Sequence, residues 1–294
     1  RIPRTGRFEA HGIPKNCSKH TQEAFPNKIK AIEKLLIRNK FRGGTAAVIV
    51  EPVGPESGTR PIDFDYNRKI RELCDKYGAL LIFDEVVTAF RIGITGAQGY
   101  YDVTPDLTVF GKVVAGGYPS AGGLGGKKEY MKYLSAGIAG GTKHKKALVG
   151  GTMAANPLSC VGGYHALCEI ERTNASKKAG MFADKLILWL NGLIKKYNLT
   201  FVAFNKGSIC HLETVGTMHF SINWKKPWKI PSVLKETSKR KKEMEHMGAA
   251  YMAEGIITLA GSRLYTSAAY TDDMLDDILA RFERVFKNVE KVED

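Results

Sequence analysis

The sequence predicts an α/β fold: a mostly parallel sheet flanked by helices, followed by a smaller α+β unit. Three observations predict it. Apolar runs of strand length stand at 46–50, 79–83 and 107–110. A helical pattern fills the interval between the first two runs. Chemically active residues, Glu51-Pro52, Asp84-Glu85 and Gly111-Lys112, follow the three runs directly. Continuous apolar runs suit strands covered on both faces, and strand, helix, strand alternation is the pattern of parallel crossovers.

Taken in order, Asn27 is the expected cap of a first helix whose Ile29, Ile32, Leu35 and Leu36 fall on one face, with Gly43-Gly44 ending it. Residues 46–50 form the first strand. The next helix carries Tyr66, Ile70, Leu73, Cys74 and Tyr77 on one face, stops at Gly78 and leads straight into the second strand. A turn at Thr104-Pro105-Asp106 precedes the third strand, and a glycine-rich stretch from 115 to 126 follows it. Asn156-Pro157 opens a helix running to about Glu171, and another extends from Ala175 through 186–194. Beyond it the chain is more basic and less regular. The expected division is a partial large domain over 1–172, a connecting helix over 173–194 and a small domain over 195–294.

Composition bounds the function. With 294 residues and 44% hydrophobic content the chain buries a sizeable core and is too apolar for disorder. None of its apolar runs is long enough to cross a bilayer. Five cysteines, at 17, 74, 160, 168 and 210, contain no C-x-x-C pair, which fits a reducing, cytoplasmic home. The start, Arg1-Ile2-Pro3-Arg4-Thr5-Gly6, reads as loop without an initiator Met or a secretory apolar block, so preceding sequence is expected. The net charge of +14 favours anionic partners in general. The cluster at 143–146 reads as an added, solvated basic loop; those at 224–229 and 235–242 combine aromatics with basic charge as a nucleic-acid binder would, but a solvated face explains them better. His165 and Glu169, four apart on a helix, lack a further metal ligand nearby.

In open parallel sheets the ligand crevice lies beyond the carboxyl ends of the strands, so Glu51, Asp84 and Lys112 are expected to converge there. A long cationic side chain between a buried strand and a glycine-rich loop also calls for something that compensates its charge. Two chemistries explain an apolar run ending in Asp-Glu. Nucleotide hydrolysis needs a G-x-x-x-x-G-K-[ST] loop, and the nearest candidate, Gly126-Lys127, has Ala121 and Lys128 at the wrong places. Pyridoxal phosphate needs a lysine amine and a carboxylate for the pyridinium nitrogen, and both types are present at strand ends.

The residues that carry that second chemistry also carry a resemblance. Phe83-Asp84-Glu85-Val86-Val87-Thr88-Ala89-Phe90-Arg91, Gly96-Ala97-Gln98, Thr104-Pro105-Asp106-Leu107-Thr108 and Gly111-Lys112 resemble, in order and spacing, the class-III aminotransferases, and among them the glutamate-1-semialdehyde aminomutase branch. Val50-Glu51-Pro52-Val53, Gly151-Thr152-Met153-Ala154-Ala155-Asn156-Pro157-Leu158 and the segment from Glu254-Gly255 to Asp272-Asp273 extend the likeness over nearly the whole chain. The resemblance implies the fold type I of pyridoxal-phosphate-dependent transferases and transfer of an amino group to or from an amino acid or amino-ketone. It implies that Lys112 holds pyridoxal 5'-phosphate as a Schiff base and moves the substrate proton, that Asp84 pairs with the ring nitrogen, and that Val86 packs on the ring. It further implies that Thr152 donates to the phosphate across a homodimer interface. Glu51 is either a group of the substrate pocket or a structural one.

Two departures stand out. The phosphate-cradling Gly/Ser loop and ring-stacking aromatic of the family's amino-terminal portion are absent from the sequence, which leaves a non-catalytic remnant of the fold as the alternative to an active transaminase or aminomutase. Arg263 stands where the aminomutases carry an acid, and a guanidinium there suits bidentate recognition of a substrate carboxylate.

Overall fold

The computed structural model describes residues 12, 14–134, 146, 147, 149–214 and 230–289. The basic clusters at 143–145 and 224–229 lie outside these residues.

The first half is a four-stranded sheet in the order β1-β2-β3-β4. Strands β1 (Ala47–Val50), β2 (Leu80–Asp84) and β3 (Leu107–Phe110) run parallel, and β4 (Gly123–Gly126) pairs antiparallel with β3. Helix α1 (Ile29–Lys40) precedes β1, α2 (Tyr66–Tyr77) joins β1 to β2, and the short α3 (Gly96–Tyr101) joins β2 to β3. The apolar stripe of α2 puts Ile70, Leu73 and Cys74 into one core with Ile32 and Leu36 of α1 and with Leu81 and Phe83 of β2. Gly78 ends α2 in the left-handed conformation at φ 67°, which a residue without Cβ adopts freely.

Three expectations are corrected. Both α1 and α2 contribute to the core on the face of Leu81 and Phe83, and on the opposite face of the sheet Ile49 is 61% exposed, so β1 is not covered on both sides. Asn27 does not cap α1. It has a positive φ and uses its side chain to tie two loops together, donating to Pro61 O and accepting from Asp63 N. The glycine-rich stretch contains a strand, β4. Its glycines permit close approach, since a Cβ on Gly126 would lie 2.5 Å from Leu107 Cδ2 and 2.6 Å from Asp106 O.

The second half comprises α4 (Pro157–Thr173), α5 (Ala175–Lys196), β5 (Val202–Lys206), β6 (Ile209–Glu213), α6 (Ile230–Ala253), β7 (Arg263–Tyr265) and α7 (Asp272–Lys287). Asn156 caps α4 by accepting from Ser159 N, with Pro157 at the first position. The three strands form an antiparallel sheet, β5-β6-β7. One stripe of α5, including Phe182, Leu186 and Leu190, meets Leu212, Tyr251, Phe282 and Phe286 in a second core, so this helix is part of the carboxy-terminal unit's packing. Among the described residues no helix is long and apolar enough to cross a membrane.

Phe90-Arg91-Ile92 joins the halves. Ser208 donates to Arg91 O through both its N–H and its hydroxyl, Arg91 donates to Thr266 O, and Ser176 donates to Phe90 O. Gly207 at φ 53° is required at this seam, because a Cβ there would stand 2.7 Å from Arg91 O.

Candidate active site at the strand ends

The parallel register aligns Val50 with Phe83 and Asp84 with Val109, and Glu85 N donates to Val109 O at 3.0 Å. Glu51, Asp84 and Lys112 therefore stand at the same carboxyl end of three adjacent strands. Asp84 is half-buried, and its Oδ1 accepts from Val86 N at 3.2 Å. Gly111 is extended, and a Cβ there would lie 3.0 Å from Val86 Cγ1, so Val86 packs directly against the backbone that carries Lys112.

Lys112 has φ 53°, a left-handed conformation uncommon for a residue with a Cβ. Strand alternation thus stops at Gly111. Such strain persists only where the surroundings impose it, and here they do so by backbone packing. The single turn Lys112–Ala115 is overlaid by α4, where a Cβ on Gly163 would fall 2.0 Å from Val114 O and one on Gly116 would fall 2.2 Å from Gly162 C. One expectation fails: Lys112 is exposed, so its charge is solvated and the argument from an awkward buried cation does not hold.

Two buried carboxylates brace the sheet without standing in the crevice, Glu85 at the carboxyl end of β2 and Asp106 at the opposite end, before β3. Glu85 is fully buried and its Oε2 accepts from Ala97 N at 2.7 Å and from Thr88 Oγ1 at 3.1 Å, which caps α3. Burial pushes its carboxyl up, against the lowering effect of those donors. Asp106 accepts from Leu81 N at 2.7 Å and pairs with Arg71 at 2.8 Å and Lys127 at 2.6 Å. Burial would raise its carboxyl, but the Lys127, Leu81 and Arg71 donors outweigh that and hold it at about 2. Lys127, the nearest approach to a phosphate-loop lysine in the sequence, is thereby occupied in pinning β4 and β2 to the start of β3.

Glu51 carries a different task from the crevice role. Its two oxygens accept from Glu56 N at 3.0 Å and Ser57 N at 2.8 Å, holding two successive residues that are both left-handed. Across from that loop, Arg263 on β7 donates to Glu56 O at 3.3 Å and stands 4.0 Å from Glu56 Oε2. Thr152 is exposed in the segment leading into α4. His165 lies edge-on to Tyr164, and Glu169 binds Arg172 through both oxygens. Among the described residues no group of three or more His, Cys, Asp or Glu could hold a metal ion.

The sequence reading passed over the roles of Glu85, Arg91, Asp106 and His211. For Glu85 a signal existed, since Gly96 leaves the room it needs: a Cβ there would lie 2.6 Å from Glu85 Oε2. For His211, a buried residue of β6 bonded to Ser57 across 154 positions, no local pattern could have served.

Comparison with known proteins identifies the family and the fold. A family model described as aminotransferase class-III matches residues 6–286. A glutamate-1-semialdehyde 2,1-aminomutase of Legionella pneumophila (strain Paris) is 37% identical over 198 residues, covering 67% of this chain and 44% of that protein. A second, from Lachnoclostridium phytofermentans, is 35% identical over 206 residues, covering 68% of this chain and 45% of that protein. The chain thus spans less than half the length of these curated relatives. Among solved structures, an omega-transaminase from Sphaerobacter thermophilus superposes with a TM-score of 0.79 at 22% identity, over 95% of this chain and 60% of that one. A glutamate-1-semialdehyde aminomutase from Pseudomonas aeruginosa, in complex with PMP, superposes with a TM-score of 0.71 at 18% identity, over 95% of this chain and 58% of that one.

Proposed function

The chain belongs to the class-III aminotransferase family, and from that premise we propose that it moves an amino group between an amino acid or amino-ketone and a carbonyl acceptor, using pyridoxal 5'-phosphate. The observation that carries this reading is the placement of a carboxylate and a strained lysine at one end of neighbouring parallel strands, with Val86 against the lysine's backbone. Acid, apolar contact and amine suit a flat aromatic ring bearing a basic nitrogen and an aldehyde.

Bound there, pyridoxal phosphate supplies the carbonyl that captures an amine and a ring that takes up the electron pair left on the substrate carbon. The residues do the rest. Asp84 keeps a proton on the pyridine nitrogen, because an adjacent anion favours the charged form. Val86 bounds one face of the ring. The Lys112 amine would hold the cofactor and, as a free amine, would carry the proton to and from the reacting carbon. Thr152 donates its hydroxyl to the phosphate from the partner chain of a homodimer. Arg263 receives a substrate carboxylate in place of Glu56, which favours substrates that carry one. Glu51 serves as the anchor of the 56–57 loop. The two cores are read as part of a large cofactor-binding domain and a small domain, and the protein as cytoplasmic.

The test is incubation of the purified protein with pyridoxal phosphate, borohydride reduction and peptide mapping by mass, with Lys112→Ala as control. A single label on Lys112, absent from the variant, is the expected result. Label on another lysine overturns the mechanism, and no label at all favours a non-catalytic remnant of the fold.

A further inference from the structure

We propose that His211 is a positioning residue that locks the 56–57 loop onto the carboxy-terminal sheet and thereby sets how Arg263 meets a carboxylate. The inference rests on the reading of Arg263 given above and extends it to a residue outside the crevice. His211 lies within β6 and is 2% exposed. Its Nε2 is 3.1 Å from Ser57 O, and because a carbonyl only accepts, Nε2 carries the hydrogen and donates. The imidazole is stacked on Phe204 with ring centroids 4.8 Å apart and planes 13° from parallel, so its direction is fixed. Its Nδ1 faces Glu213 Oε1 at 3.9 Å. Gly58, beside His211, follows in a backbone conformation at φ 95° that residues with a Cβ rarely adopt.

Ser57 is thus held from both sides. Glu51, at the end of β1, binds its N–H at 2.8 Å, and His211 binds its carbonyl. Left-handed φ values at Glu56 and Ser57 are intrinsically unfavourable, so the loop relaxes when either hold is released. Glu56 is the residue whose carbonyl and carboxylate face Arg263, and Arg263 is the register partner of His211 across β6 and β7. Loss of the His211 bond therefore lets Glu56 move relative to the guanidinium it opposes.

The experiment uses His211→Gln, whose amide can reach Ser57 O, and His211→Asn, whose shorter amide cannot. Hydrogen–deuterium exchange at the Glu56 and Ser57 amides is expected to rise about tenfold in His211→Asn, the loss of one hydrogen bond, and to return close to wild type in His211→Gln. Exchange in β2 serves as the internal control for folding. The second readout is the cofactor's spectral change on mixing with L-alanine or with isopropylamine. The rate ratio between the carboxylate-bearing and carboxylate-free amine is expected to shift about fivefold in His211→Asn and to recover in His211→Gln. Unchanged loop exchange in His211→Asn overturns the lock. Faster exchange with an unchanged ratio overturns the influence on Arg263. If neither amine reacts with the wild type, the amino-transfer reading and the effect on Arg263 fall together, while the exchange result still decides the lock.

Discussion

Replacing Asp106 with Asn should uncouple the strands whose carboxyl ends carry Asp84 and Lys112, and the cost can be worked from the structure. Asp106 is nearly buried, receives the Leu81 N–H, and pairs with Arg71 and Lys127. Its carboxyl is displaced from 3.8 to about 2, worth about 2.4 kcal/mol in favour of the folded protein. Screening at the half-exposed Lys127 reduces this to about 2 kcal/mol. The folded value lies below the unfolded one, so the stabilisation is fully present above pH 3.8 and is lost as pH falls towards 2, roughly half of it by pH 3. Urea unfolding of wild type and Asp106→Asn at pH 7, 5, 4 and 3 measures this. The expected gap is about 2 kcal/mol at pH 7 and about 1 kcal/mol at pH 3. A gap that stays constant over that range would show that the ion cluster does not supply the stability, and the assignment of Asp106 as the clamp of β2, β3 and β4 would be wrong.

Substitutions at three other positions probe the supports of the site. Burial raises the carboxyl of Glu85, so its neutral form favours the fold and that contribution is lost as pH rises through the raised value; thermal melts should therefore show Glu85→Gln faring better against wild type at pH 8 than at pH 4, whereas Glu85→Ala, which strips Ala97 N of its acceptor, should cost about 1–3 kcal/mol. Gly163→Ala puts a Cβ 2.0 Å from Val114 O, and the separation of α4 from the lysine's turn should lower stability by about 1–3 kcal/mol and weaken pyridoxal-phosphate binding in a fluorescence titration. Thr152→Ala should weaken cofactor binding about tenfold in the same titration, the loss of one hydrogen bond to a charged group, without changing the melting temperature of the cofactor-free protein.

Much of the first sheet could be read from residue order, because what makes each element is local. The stripe Tyr66, Ile70, Leu73, Cys74 with Gly78 behind it became α2 and its left-handed cap. The run at 107–110 became β3, and Asn156-Pro157 became the start of α4. The motif residues Asp84 and Lys112 were legible for the same reason, as the residues that follow an apolar run. β4 was not legible, because a glycine strand has no side-chain period and exists only where Asp106 and Leu107 leave no room for a Cβ.

By itself, then, the sequence determined α1, α2, α4 and α5, the three parallel strands, the family likeness and the types of chemical group available, all properties of neighbouring residues, but not α3, α6 or α7. Only the tertiary structure decided that Lys112 is strained rather than buried, that Glu51 binds backbone, that Lys127 is spent on Asp106 and that His211 reaches Ser57. Those contacts join residues far apart in the chain, and their geometry is set by how whole elements pack.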